Sequence, residues 1–131
     1  MVLLVFAVGV AMLFTRVQEM RRKRVHSQAA ANSLTMAAHL ENVEVADNFR
    51  NLFEVPVLFF ALAAIALATG YVPRWLVITS WVFFALRLLH SVIHCTYNKV
   101  YHRLIIFLAS FGLLVGMWIA FFVSLASKST A

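Results

Sequence analysis

Cysteine, proline and acidic residues are scarce in this chain, and their scarcity excludes several classes of protein. The single cysteine, Cys95, excludes a disulfide framework within the chain and the common metal sites built from several thiolates. Only two prolines and four glycines occur in 131 residues, so few positions interrupt a helix. Five acidic residues stand against eleven lysines and arginines, which gives a formal net charge of +6. The chain is therefore basic, and the meaning of that charge depends on where the cations lie.

Apolar side chains, by contrast, are in excess. They make up 63% of the residues and give a mean hydropathy of +0.89, whereas a soluble domain is normally about half apolar. A membrane-spanning helix needs roughly 20 mostly apolar residues, and this chain has room for four with little left over. We therefore predict an all-α integral membrane four-helix bundle that forms a single domain over residues 1–131.

The apolar stretches predict the four spans directly. They lie at about residues 2–15, 52–70, 75–95 and 103–125. The first is short, and we expect its helix to continue through Arg16 and the basic run 21–24, because neither Gly nor Pro interrupts this continuation. The connection 25–50 also lacks both residues, so part of it is expected to be helical. Pro56 removes a backbone donor and crowds the carbonyl of Leu52, which predicts a kink near the start of the second span.

The distribution of basic residues predicts how the chain is oriented in the membrane. Residues 21–24 are all basic and directly follow an apolar helix, a pattern typical of a cytoplasmic flank. No basic surface interleaved with aromatic residues remains outside the spans, so we exclude a nucleic-acid interface. Most cations lie in the connections that precede the second and fourth spans, whereas Arg74 and Lys128 lie on the other side. The positive-inside rule therefore places both termini outside and the two basic connections in the cytoplasm.

Ionisable residues at the cytoplasmic ends of the last three spans form the candidate site. With one amide, they are Arg50, Asn51, Glu54, Arg87, His90, His94 and Arg103. Charged groups within a span usually face the protein interior, pair with each other and mark function. On continuous helices the i, i+4 spacing aligns Arg50 with Glu54, and the i, i+3, i+7 spacing aligns Arg87 with both histidines. These segments can therefore line one polar pocket toward the cytoplasm.

Such a pocket suits a small zwitterion that carries more carboxylates than amines. Arginine binds carboxylates through two parallel hydrogen bonds, and a glutamate can hold an ammonium group. The alternative is structural: Glu54 neutralises Arg50 or Arg87, while Arg50 and Arg103 extend to the lipid headgroups. His90 and His94 are spaced to ligate a metal, but without a third ligand in the pattern we predict no metal site.

At these residues the sequence resembles the MAPEG family, the membrane-associated proteins in eicosanoid and glutathione metabolism. The resemblance rests on the runs Arg50-Asn51-Leu52-Phe53-Glu54, Val55-Pro56-Val57-Leu58 and Arg87-Leu88-Leu89-His90, with Arg103 beyond them. The family includes microsomal glutathione transferases and prostaglandin E synthase. The four-span layout matches throughout, although these motifs occupy about a fifth of the chain.

The resemblance implies a homotrimer that binds glutathione, as a co-substrate, between neighbouring subunits near the cytoplasmic face. The residues implied to hold the tripeptide are Arg50, Asn51, Glu54 and His90. Arg103 is implied to be the catalytic residue that stabilises the glutathione thiolate. Arg16 matches a glutathione-contacting arginine at the cytoplasmic end of the first helix, and Arg87 and His94 share the pocket, so we count all three as further contacts.

The sequence departs from the prostaglandin-synthesising members at three positions. His94 stands where they have a tyrosine, and Leu104 and Phe107 stand where they have a serine and a tyrosine near the ligand. These departures argue against prostaglandin isomerisation. The sequence favours a membrane-bound glutathione transferase or peroxidase that acts on hydrophobic electrophiles arriving through the lipid. The alternative is a non-catalytic protein of the same fold that binds lipid or a protein partner, which the loss of polar residues after Arg103 favours.

The orientation is testable by labelling in sealed vesicles. A tag at either terminus should be accessible only from outside, and a label near His26 only from the cytoplasm, because the basic connections stay on the cytoplasmic side. Detergent-opened vesicles, in which every position must react, are the control. The reverse labelling pattern would overturn the orientation.

Overall fold

Every regular element in the described part of the chain is an α-helix. The computed structural model describes residues 1–24 and 44–129. Its helices are α1 (Val2–Lys23), α2 (Glu44–Asn51), α3 (Val55–Ala68), α4 (Arg74–Cys95) and α5 (Val100–Ser129). They belong to two compact units, Met1–Asn51 and Leu52–Ala131.

Four helical segments are long and apolar enough to cross a membrane. They are Val2–Lys23, Glu44–Ala68, Arg74–Cys95 and Val100–Lys128. Between 11% and 33% of the most apolar window of each segment is buried within the chain, so most of each apolar surface remains exposed. Large exposed apolar surfaces are typical of helices that contact lipid or other subunits. The predicted all-α chain with four helices long and apolar enough to span a membrane is thus confirmed for the described residues.

The first unit consists of α1 and α2. Helix α1 continues through Arg16 to Lys23 and ends at Arg24, which adopts a left-handed conformation (φ 51°). Basic residues in its last turn complement the negative end of the helix dipole. Gly9 permits the close approach of α2, because a Cβ atom at this position would lie 2.9 Å from the Phe49 ring. The helical structure expected in the 25–50 connection is present as α2. Residues 25–43, which include the labelling position near His26, lie outside the described residues.

A break separates α2 from α3. Residues Leu52 to Glu54 form a turn, and α3 begins at Val55 with Pro56 in its first turn. Proline cannot donate the backbone hydrogen bond to residue 52 and its ring crowds that carbonyl, so the helix ends before it instead of kinking through it. The expectation that helical spacing puts Arg50 and Glu54 on one face is therefore wrong, because no continuous helix joins them.

The second unit consists of α3, α4 and α5. Helix α4 packs along α5, and α3 contacts α5. Aromatic side chains fill much of the interior: Phe83 and Phe121 are fully buried, and the ring of Phe83 stacks on Phe59 with centroids 4.9 Å apart. The turn between α3 and α4 contains Gly70 in the left-handed region (φ 65°), which glycine adopts without steric cost. This packing leaves the end of α4 and the start of α5 side by side.

Candidate active site

The second unit buries a row of polar side chains near the end of α4. Arg87, His90, Ser91 and His94 are all less than 4% exposed. Three of them, Arg87, His90 and His94, follow the i, i+3, i+7 spacing that the sequence analysis identified, and α4 is helical throughout this region. The predicted stripe therefore faces the interior of the chain and not the lipid.

Arg87 lies between two aromatic rings. Its guanidinium carbon is 5.5 Å from the centroid of Phe83 and 5.2 Å from that of Phe107. Cation–π contacts of this kind stabilise a desolvated guanidinium by about 2 kcal/mol. They leave the in-plane hydrogen-bond donors unused: Nε, Nη1 and Nη2 are all buried and have no hydrogen-bond partner among the described residues. Two aromatic faces thus hold a cation whose five N–H groups are available to an anion.

The second unit has little acidic charge to offer Arg87. Residues 55–131 contain neither aspartate nor glutamate, so Glu54 is the acidic side chain of this unit. Glu54 lies at the N-terminus of α3, its side chain is exposed, and no ion pair joins it to Arg87 within the described residues. The structural alternative, in which Glu54 neutralises Arg87 inside one chain, therefore gains no support from the geometry.

His90 lies one turn after Arg87 in the same buried row. Its ring centroid is 5.8 Å from that of His94 and 6.0 Å from that of Phe107. Neither ring nitrogen has a hydrogen-bond partner among the described residues. Buried polar atoms normally find partners, so unused donors and acceptors on adjacent residues indicate a place for a polar ligand.

Arg103 is held in place by two hydrogen bonds from one nitrogen. Nη1 lies 3.1 Å from Nε2 of His94 and donates to Oδ1 of Asn98 at 2.9 Å. Because a guanidinium can only donate, His94 must accept at Nε2, which places the proton of the neutral imidazole on Nδ1. Both bonds to described side chains use Nη1, so Nη2 and Nε of this half-buried arginine remain to bind an anion.

Asn98 is a site residue that the sequence analysis missed. It adopts a left-handed conformation (φ 45°), and its backbone N–H donates to the Ile93 carbonyl at 2.9 Å, which closes the end of α4. Asparagine is one of the few residues other than glycine that adopts this conformation readily. An asparagine directly after a predicted helix was the available signal. The turn it forms brings its side chain to Arg103.

Three predicted site residues belong to the first unit. Arg50 is exposed, with Nη1 3.6 Å from Oδ1 of Asp47, and such surface pairs contribute little stability. Asn51 is half-buried at the end of α2. Arg16 is half-buried in α1, and its Nε is buried without a hydrogen-bond partner among the described residues. All three lie near the ends of their helices that the charge distribution predicts to be cytoplasmic.

The residues of the cluster supply cations and imidazoles, which suits anions better than metals. Within residues 1–24 and 44–129, no group of three His, Cys, Asp or Glu side chains lies close enough to hold a metal ion. Two arginines with unused donors and one imidazole with two unused nitrogens can bind carboxylates and polarise a thiol.

Comparison with known families decides the identity of the chain. Residues 1–123 match the MAPEG family. The chain is a member of the MAPEG family. No curated protein and no solved structure is a significant match. Membership confirms the resemblance to this family, and it supports a membrane role connected with glutathione or eicosanoid metabolism.

Two departures of this MAPEG chain have a structural explanation. His94 accepts the hydrogen bond from Arg103 at 3.1 Å, so the imidazole positions the arginine. Phe107 forms one face of the Arg87 sandwich at 5.2 Å, a contact for which an aromatic ring is required and a hydroxyl is not. Leu104 is exposed at the start of α5. In the second unit, the polar side chains described above belong to α4 or are Asn98 and Arg103.

The unused donors of Arg87 lead to a stability prediction. Arg87→Met keeps the volume and removes the charge, so it should raise the free energy of unfolding of the ligand-free protein by about 1–3 kcal/mol, the cost of an unsatisfied buried polar group. Thermal unfolding of the detergent-purified protein, followed by circular dichroism, measures the change. The matched control, Arg87→Ala, should be destabilising because it also leaves a cavity. Equal destabilisation by both substitutions would mean that the guanidinium already has an anionic partner in the ligand-free protein.

Proposed function

We propose that this protein is a membrane-bound glutathione transferase or peroxidase whose site lies where α4 ends and α5 begins. The observation that carries the proposal is the pair of arginines with unused donors: Arg87, buried between two rings, and Arg103, held by His94 and Asn98. MAPEG membership supports it, because the family is associated with glutathione.

The chemistry of glutathione fits the charges of this site. The tripeptide carries two carboxylates, one ammonium group and a thiol. Buried arginines with free N–H groups bind carboxylates through two parallel hydrogen bonds. Glu54, exposed at the start of α3, is proposed to hold the ammonium group, and His90 to contact the peptide through its unused ring nitrogens. A ligand of net charge −1 would also relieve the cost of burying unpaired cations.

Arg103 is the proposed catalytic residue. A thiol is a poor nucleophile until it loses its proton, and a guanidinium close to the sulfur in a site of low dielectric constant favours the thiolate. His94 and Asn98 anchor Nη1, so Nη2 and Nε can face the sulfur without the loss of side-chain freedom that a mobile arginine would incur. The thiol proton leaves to water, and the thiolate sulfur then displaces the leaving group of an electrophile as its anion. With a peroxide, the sulfur bonds to one oxygen while the O–O bond breaks and the other oxygen leaves as alkoxide, and a second glutathione converts the resulting sulfenic acid to the disulfide and water.

The hydrophobic substrates are proposed to reach the site through the bilayer. Exposed apolar side chains cover the described helices, among them Phe6, Phe14, Trp81 and Phe111. A protein embedded in lipid meets apolar electrophiles at the high concentration they reach by partitioning. The site lies at the end of the membrane segments, so a thiolate held in the polar cluster and an electrophile dissolved in lipid can meet there.

Arg16, Arg50 and Asn51 are proposed to complete the glutathione site within a homotrimer. The second unit contains Arg87, His90, His94 and Arg103 but has a single acidic side chain, Glu54, which is exposed. Residues from a neighbouring copy could then supply the remaining contacts. In this proposal the site exists only in the assembled protein, between subunits and toward the cytoplasm.

The second candidate function is non-catalytic, and one observation favours it. Phe107 and Leu104 provide no hydroxyl groups in the first turn of α5 after Arg103. A MAPEG scaffold of this kind could bind lipid or a protein partner without turnover. Binding of glutathione separates the two candidates before any electrophile is known.

The central prediction concerns glutathione binding and the role of Arg103. Calorimetric titration of the purified protein should detect glutathione binding, and the ultraviolet thiolate band of the bound tripeptide should be present at neutral pH. Arg103→Leu should shift that band to higher pH and reduce conjugation of a model electrophile by about 10²-fold or more, while the other contacts still bind the tripeptide. Asn98→Leu, which removes one of the two bonds to Nη1, should give an intermediate shift.

Arg74→Leu is the matched control for this experiment. Arg74 is an exposed arginine at the opposite end of α4, so its loss should leave the thiolate band and the turnover unchanged. If Arg103→Leu behaves like Arg74→Leu, the thiolate is not stabilised by Arg103. If wild-type protein gives no heat of binding, the glutathione-dependent function itself is rejected.

The oligomeric prediction is tested by mass. In mild detergent the protein should have about three times the 14.8 kDa mass of one chain. Glu54→Gln should weaken glutathione binding, because the ammonium group loses its partner, without changing that mass. Light scattering and the calorimetric isotherm measure the two effects. A stable monomer that binds glutathione with full affinity would remove the shared-site proposal.

A further inference from the structure

The second unit also carries an apolar groove beside the turn between α3 and α4. It has a volume of about 160 Å³ and is lined by ten residues of α3, α4, α5 and the connecting turn: Phe59, Leu62, Ala63, Ala66, Leu67, Val72, Leu76, Val77, Ser80 and Met117. An enclosed apolar cavity of roughly this size holds a benzene molecule. The volume therefore suits a segment of a hydrocarbon chain.

The groove lies toward the other membrane surface. It includes Val72 and Leu76, next to the turn from which α4 begins, whereas Arg87 and His90 lie further along α4. Arg87 lies seven positions after Ser80, the last groove residue on α4, which is about 10 Å of helix. The groove and the polar cluster share no residue, although Phe59 of the groove stacks on Phe83, which contacts Arg87. The groove lies beside the turn at the end of the unit that the charge distribution predicts to be outside.

Two cations lie at this end of the unit. Nζ of Lys128 is 5.2 Å from the centroid of the Tyr71 ring, and that ring is 6.0 Å from Phe121, one turn after the groove residue Met117. Arg74 is exposed at the first position of α4, three residues before Val77 of the groove. Tyr71 itself precedes Val72. The turn thus joins the lysine, the arginine and the apolar groove.

No acidic side chain of the second unit balances these cations. Residues 55–131 contain no aspartate or glutamate, and Glu54 lies at the other end of α3. Within the described residues no ion pair involves Arg74 or Lys128. Cations at a membrane surface attract anionic headgroups by about 1 kcal/mol each, and a buried methylene group adds about 0.8 kcal/mol.

We propose that this groove and its two cations form a binding site for an anionic phospholipid. One acyl chain lies in the groove between α3 and α4, and the phosphate binds Lys128 and Arg74 at the membrane surface. Charge complementarity selects an anionic over a zwitterionic headgroup, while the groove holds the chain. The site is separate from the polar cluster, so lipid binding does not depend on glutathione.

Native mass spectrometry of the protein in mild detergent tests the proposal without glutathione. Phosphatidylglycerol and phosphatidylcholine with identical acyl chains are added in equal amounts, and free oleate is added in a third sample. We expect phosphatidylglycerol to be retained at least tenfold more than phosphatidylcholine, and oleate to be retained weakly. Equal retention of the two phospholipids, or preferential retention of oleate, would overturn the proposal.

Two matched pairs of variants locate the site. Lys128→Gln combined with Arg74→Gln should reduce the preference for phosphatidylglycerol at least tenfold, whereas Lys99→Gln, an exposed lysine before α5, should not. Ala63→Phe fills the groove and should reduce retention of the lipid, whereas Ala64→Phe, whose side chain does not line the groove, should leave it unchanged. Unchanged retention in both test variants would place the lipid elsewhere and reject this site. Circular dichroism confirms that each variant is folded.

Discussion

A guanidinium buried in an apolar helix bundle is the constraint on which the rest of this structure depends. Arg87 is fully buried between two aromatic rings, and none of its nitrogens has a hydrogen-bond partner among the described residues. Charged side chains in a membrane segment cost a few kcal/mol even after accommodation, so such a position persists only where something offsets the cost. The aromatic faces offset part of it, and the remainder requires an anion. Glu54 is the one acidic side chain of the second unit and is exposed, so the described contacts of this unit do not supply the anion.

The same scarcity of acidic residues affects both ends of the second unit, where cations lack acidic partners. Near the end of α4, Arg87 and Arg103 have unused donors, and near its start Arg74 and Lys128 have no ion pair within the described residues. The two ends differ in what surrounds the charge. At one end the cations are buried or anchored among imidazoles, which suits a small, precisely oriented polar ligand. At the other end they are exposed beside an apolar groove, which suits an amphipathic molecule from the bilayer.

Departures from the family pattern are easier to interpret once the contacts are known. Compared with the tyrosines that the prostaglandin-synthesising members have at the same positions, His94 and Phe107 each lack a hydroxyl group. In the structure, His94 accepts a hydrogen bond from Arg103, and Phe107 stacks against Arg87. Both residues therefore contact an arginine of the polar cluster. Activity itself is decided by the site and not by the family.

The sequence by itself determined that the chain belongs in a membrane, where its helices lie and which residue types form the site. Four long apolar stretches predict four membrane helices, because a helix satisfies the hydrogen bonds of its own backbone within lipid. The spacing of Arg87, His90 and His94 predicts one buried face, because the period of a helix is regular. Tertiary structure decided the rest. A turn precedes Pro56, so no continuous helix joins Arg50 and Glu54, which helical spacing had aligned. Asn98 binds Arg103 because a left-handed turn brings its side chain to that arginine. Phe83 and Phe107 both contact Arg87 because α4 packs against α5, and no periodic pattern in the sequence relates these residues.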